Sequence, residues 1–183
     1  MPDFATRAEL DLALADILNA PKTGGAVEIL CRRPGRNQRE FPRNLRLTQA
    51  GGIEGDYEMR TPWLKLPDGS PDPRNQVSVL PARVLNLMWR GRESTSYPGD
   101  NIIADFDMTL ANMPTGTRLR IGSAVIEVSD LWNEGCAKWK VRFGRAAYDW
   151  TSDPRHESLR LRGIYCSIVE DGDVRLGDMI TKI

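Results

Sequence analysis

The stretch that most limits how this chain can fold is Leu119 to Val128. An apolar run, Leu119 to Ile121, meets a Gly122-Ser123 pair and returns as Ala124 to Val128. Two short apolar runs joined by a two-residue glycine turn specify an antiparallel hairpin. Similar runs recur over 26–31, 45–47, 77–80, 102–106, 159–170 (interrupted at Gly163) and 179–183. Turn signals separate them: Gly51 to Asp56, Asp68-Gly69, Pro98 to Asn101 and Asp171 to Asp173. Eight or more short strands with only three helices favour a mainly β chain closed, or nearly closed, into a β-barrel.

The helices have their own signatures. Thr6-Arg7-Ala8-Glu9 reads as a capping box before Leu10, Leu14, Ile17 and Leu18, and Pro21 with Gly24-Gly25 ends that helix. Residues 1–21 therefore read as an appended helix, packed on the domain or on a partner, and 22–183 as a single β-barrel domain. Pro81 suits the first turn of a short helix that faces Val84, Leu85 and Met88 inward. The Pro-rich and polar stretch from Tyr57 to Gln76 reads as a long hairpin around Trp63 to Leu66, or as a flap over a site.

The third helix carries the chemistry. Trp139, Phe143, Ala146, Ala147 and Trp150 recur at helical spacing, which predicts a helix over 138–150 with one buried face. Asn133 is the expected cap, Gly135 leaves room beside the sulfur, and Cys136 falls in the first turn. The positive end of a helix, with Lys138 and Lys140 close by, favours thiolate over thiol, as a nucleophile, sulfur carrier or metal ligand requires. The competing reading is packing, because Cys136 precedes Trp139 by three residues and Phe143 by seven.

Charge narrows the classes of partner. Lys plus Arg and Asp plus Glu balance at 25 each, so no global field favours nucleic acid or an acidic membrane. No apolar run approaches a bilayer span, and the start lacks a signal-peptide profile. Three cysteines with no close pair indicate reduced thiols and a cytoplasmic setting. One histidine, His156, leaves little for a zinc site or a Ser-His-Asp triad and reads as a loop residue. Asp105/Asp107 and Asp171/Asp173 read as backbone caps at strand ends. The run of Arg32, Arg33, Arg36, Arg39 and Arg43 reads as a solvated loop, the alternative being a site for phosphate or another anion. Between Cys136 and Arg162, seven basic residues face three acids, Arg145 and Asp149 being placed to pair. The remainder either lies in solvent or neutralises an anionic ligand beside the thiol.

Seven short motifs occur in a telling order. They are Gly52-Ile53-Glu54-Gly55-Asp56, Gly99-Asp100-Asn101, Gly116 to Gly122, Asn133-x-Gly135-Cys136-x-Lys138, Arg142-Phe143-Gly144, Leu161-Arg162-Gly163, and Val174 to Asp178. In this order and spacing the chain resembles the MOSC domain, named for the C-terminal domain of molybdenum cofactor sulfurase, and in particular its small stand-alone bacterial members. The likeness runs from about Gly25 to Lys182. It implies a β-barrel similar to the pyruvate-kinase barrel-like domains, with one important cysteine, here Cys136. In relatives that thiol ligates molybdenum of the pterin cofactor (molybdopterin) or carries sulfur for a metal centre, and some members reduce N-hydroxylated bases and amidoximes.

The expectation is thus a molybdenum-dependent oxidoreductase acting on a small molecule and fed by an electron-transfer protein. The alternatives are a sulfur transferase, with Cys136 persulfide loaded by a cysteine desulfurase, and a non-catalytic accessory domain binding a small anion. By the same resemblance Cys136 would hold the molybdenum. Asp56, Arg60, Asn101, Lys138, Arg142 and Arg162 would surround the cofactor, with Asp56 and Asn101 on loops near the pocket. One departure stands out. Many relatives follow the Gly-Asp pair with histidines, where this chain has Tyr57-Glu58-Met59-Arg60; if those histidines protonate substrate, this chain either uses another donor, for which Tyr57, Arg60 or Lys138 could substitute, or lacks that activity.

Overall fold

The computed structural model describes residues 3–92 and 97–183. Seven strands close into a barrel in the order β1 (Gly24–Leu30), β10 (Met179–Lys182), β6 (Arg118–Ile121), β7 (Ala124–Val128), β8 (Ile164–Glu170), β4 (Val77–Pro81) and β5 (Ile102–Ala104), with β5 returning to β1. Every neighbouring pair is antiparallel except β4 with β5. The expected hairpin is present as β6 and β7, where Leu119 and Ile121 face inward and Arg118 and Arg120 outward. A small sheet of β3 (Gly52–Ile53), β2 (Asn44–Thr48) and β9 (Gly172–Arg175) adds Leu45, Leu47, Ile53 and Val174 to the barrel core.

The barrel is buried on two sides where helices cover it. On β4, Val77 and Val79 point into the barrel, while Leu80 points out to a second core. There the helices α1 (Arg7–Leu18), α2 (Ala82–Met88) and α3 (Ala137–Thr151) pack Leu10, Leu85, Trp139, Phe143 and Trp150 against it. This explains why β4 is buried throughout and shows no alternation of exposure. The Thr6 capping box forms as expected. The appended helix packs on the domain itself: Leu10 and Ile17 are buried, Asp11 accepts from the Trp150 indole at 3.0 Å, and Glu9 pairs with Arg90 at 2.8 Å. No described helix is long and apolar enough to cross a membrane.

Four local expectations change. The run 159–170 is a strand only from Ile164, because residues 154–159 form a 3-10 turn ended by Arg160 in the left-handed region. Gly172 and Asp173 open β9 instead of forming a turn, because β2 offers them a ladder. His156 is buried in that 3-10 turn, with its Nδ1 2.8 Å from the Trp150 carbonyl and its ring edge-on to the Trp150 indole. The hairpin expected within 57–76 is a single bridge, Lys65 with Pro71, around the Asp68-Gly69 turn.

Candidate functional site

Two Gly-Asp turns build the wall behind the site. In each, a glycine at positive φ (81° at Gly55, 105° at Gly99) reverses the chain and sends the following aspartate inward, a path that a β-carbon would strain. Asp56 is grasped by both ends of the Arg33 guanidinium, at 3.0 and 3.1 Å, and by the Arg33 backbone N–H at 2.8 Å. Asp100 accepts from Arg162 at 2.8 Å, and the Arg162 guanidinium lies 4.4 Å from the centre of the Trp139 ring. Burial opposes the Arg33 cation but Asp56 and then Glu58 outweigh it, and burial opposes Arg162 but Asp100 outweighs it, so both arginines are held more firmly charged than usual.

In front of this wall lies an open cavity of about 1380 Å³. Tyr57, Glu58, Arg60 and Trp63 form one side, Leu131, Trp132, Cys136 and Lys138 the other, and Arg33, Arg36 and Tyr165 contribute between them. Residues 57–63 thus form one side of the site, where Arg60 donates to the Pro34 carbonyl at 2.9 Å and Asp56 accepts from the Glu58 N–H at 2.9 Å. A polar chamber of about 80 Å³ shares Arg33, Glu58, Trp63 and Tyr165 with the cavity and reaches inward to Ser78, Asp100 and Arg162. Burial pushes the Tyr165 phenol up to about 12.

Cys136 is the N-terminal cap residue of α3, one position before the first turn, and its side chain is exposed. The packing reading of this thiol is thereby excluded, since the buried stripe begins at Trp139. No side chain caps the helix, so its first N–H groups are open to a ligand, and an anion there meets the positive end of the helix dipole. Asn133 is not the cap. It is buried, donates to the Arg162 carbonyl at 3.0 Å, and so ties the cysteine loop to the chain entering β8.

The expected site residues thus separate into three groups. Cys136, Lys138 and Arg60 line the cavity, and Arg162 lines its inner chamber. Asp56 and Asn101 do not form the wall of either space but brace it from behind. Asn101 is fully buried, accepts from the Ser78 N–H and hydroxyl at 3.1 and 2.9 Å, and donates to the Cys31 carbonyl and Asp56. Arg142 lies further along α3, half-buried, where burial and then Arg39 lower its affinity for its proton. Arg33, Glu58, Trp63 and Tyr165 were not expected at the site. Arg33 lies three residues beyond the end of β1, within the run of arginines for which an anion site was one reading.

Residues 77–181 match the MOSC domain family. Among solved structures the chain is similar to one described only as a hypothetical protein, at 20% identity over 87% of this chain and 68% of the other, with a TM-score of 0.58. It is also similar to the YUAD protein from Bacillus subtilis, at 19% identity over 86% and 94% of the two chains and a TM-score of 0.56. YiiM from Escherichia coli follows at 20% identity over 86% and 69%, with a TM-score of 0.53. At such identities these likenesses concern the fold. No curated protein matches the sequence. With the family match spanning more than half the chain and the barrel in place, the protein belongs to the MOSC domain family.

Proposed function

We propose that this MOSC protein binds the molybdenum cofactor in the open cavity, with the Cys136 sulfur as the protein's ligand to the metal, and supports reduction of N-hydroxylated compounds. The observation that carries the reading is the exposed Cys136 side chain at the uncapped start of α3, on a cavity wall shared with Arg36, Arg60 and Lys138.

The residues present fit such a group. Among the described residues, no cluster of three or more His, Cys, Asp or Glu side chains could hold a bare metal ion. A single thiolate suffices for a metal that arrives with a cofactor's own sulfur ligands, and a soft donor suits that metal. Arg36, Arg60 and Lys138, with the open helix start, suit the anionic phosphate of a pterin cofactor. Trp63, Trp132 and Tyr165 offer apolar faces for a planar substrate, and the volume is ample for cofactor and substrate together. Bound there, the cofactor would supply two-electron redox chemistry, while the chain's own residues hold it, orient the substrate and provide protons. A separate electron-transfer protein would complete the system.

The test is elemental analysis of protein made in a host that produces the cofactor. Molybdenum co-purifies with the wild type and is lost in Cys136→Ser; metal content unchanged by that substitution removes the ligand role. A second reading, a sulfur carrier, draws on the same exposure, because an acceptor or a cysteine desulfurase could reach the sulfur. It predicts a labile added sulfur on Cys136 by intact-mass measurement after incubation with a desulfurase, and no such adduct would exclude it.

A further inference from the structure

Glu58 lies in the segment that follows the first Gly-Asp turn, and its surroundings set it apart from the other acids of the site. It is 6% exposed and lies on the wall of both the cavity and the inner chamber. Two acids there face one guanidinium. Asp56 takes Arg33 with both oxygens, while Glu58 is left at 3.6 Å, beyond hydrogen-bonding reach. Its other near contact is the Trp63 N–H at 3.4 Å. A carboxylate in this position is desolvated without strong donors in return.

On the far side of the chamber, two residues carry buried polar atoms with no protein partner, Asp100 Oδ2 and Arg162 Nε. A polar space of about 80 Å³ flanked by such atoms suits a short chain of waters.

We propose that Glu58 is the proton donor of this site, giving its carboxyl proton to the oxygen that leaves an N-hydroxylated substrate and regaining it from water in the inner chamber. The inference rests on the reductive reading above. In the balanced reaction the N–O bond breaks as two electrons enter from a separate electron-transfer protein. One proton comes from Glu58 and a second from water, the oxygen departs as water, and the nitrogen keeps its electron pair as an amine or amidine.

The charged groups around Glu58 agree with the role. Arg33 and Asp56 face it from its own side, and Asp100, Arg162 and Tyr165 lie across the chamber. Burial raises the Glu58 carboxyl above its usual range, the attraction of Arg33 only partly opposes this, and Asp56 adds to it. A carboxyl that holds its proton more tightly than an exposed glutamate is what a general acid needs.

The experiment compares wild type with Glu58→Gln, both loaded with the cofactor, using benzamidoxime as substrate and reduced methyl viologen as electron source. Molybdenum content should be equal. In Glu58→Gln, kcat should fall by roughly 10²–10⁴-fold with KM little changed, and the wild type's loss of kcat with rising pH should disappear. Infrared spectra of substrate-free protein give a readout independent of turnover, a protonated-carboxyl band that persists above the ordinary glutamate range in the wild type and is missing from Glu58→Gln. A variant with wild-type kcat and pH profile, or a wild type without that band, would overturn the donor role. Absence of both molybdenum and reduction in the wild type would overturn the proposed function and the donor role with it.

Discussion

Phe4 packs its ring against Gly144, at the point where α3 is broken by a residue with φ 88° and ψ 170°. A β-carbon at Gly144 would lie 2.7 Å from Phe4 Cδ2. The kink separates the segment that carries Cys136, Trp139 and Phe143 from the one that carries Trp150, and the rings of both segments lie in the core. Gly144→Ala should therefore cost roughly 2–4 kcal/mol, combining a backbone conformation open essentially to glycine alone with a direct clash. Chemical denaturation measures it. Adding Phe4→Ala should recover only the steric part.

Arg162 and Asp100 form an ion pair with side-chain exposures of 11% and 2%. Removing one member strands the other, which typically costs about 3–5 kcal/mol. Arg162→Leu should show that loss in urea unfolding, and the double variant Arg162→Leu/Asp100→Asn should recover a substantial share. Arg162→Lys should fall between wild type and Arg162→Leu, because an ammonium keeps the charge without the flat face that lies over Trp139.

The three cysteines differ sharply in access. Cys136 is exposed, whereas Cys31 and Cys166 are buried, and burial pushes the Cys31 thiol up to about 12 and Cys166 higher still. A thiol reagent should modify one cysteine rapidly in the native protein and the other two only in denaturant, with peptide mapping placing the first adduct on Cys136. Slow modification of all three would contradict the exposed placement.

Glu58 makes stability depend on pH in a definite sense. Its carboxyl holds a proton more tightly in the folded chain, chiefly because it is buried. Between the ordinary glutamate range and the raised folded value, the folded state binds more protons than the unfolded one. Glu58's contribution is thus fully present below that range and is lost as pH rises through it. Glu58→Gln should flatten the decline in urea midpoint with rising pH over this window, and an unchanged slope would show that Glu58 does not titrate there.

Much of the architecture was legible because it rests on local rules. The Gly122-Ser123 turn, the Thr6 capping box and the spacing of Trp139 and Phe143 each depend on residues within a few positions of one another, whereas the break at Gly144 within the helix expected over 138–150 was not foreseen. Where local rules competed with distant partners, the partners won. Gly172-Asp173 reads as a turn until β2 supplies a ladder, and Asn133 reads as a cap until the Arg162 carbonyl lies within 3.0 Å. The Gly-Asp motifs were visible as motifs, but Asp56 proved to hold Arg33 from behind the cavity and Asp100 to hold Arg162 at the inner chamber.

From its sequence alone, then, this chain was determined to be a β-barrel of short strands with three helices, a MOSC-type order of motifs and one cysteine at a helix start. These are properties of periodicity, turn chemistry and motif order, all written in neighbouring residues. Only the tertiary structure decided that Cys136 is exposed, that Arg33 and Arg162 stand behind it on two buried aspartates, and that Glu58 borders both the cavity and its inner chamber. Burial and charge pairing across strands remote in the chain set the chemistry of each group, and those distances exist only once the barrel has closed.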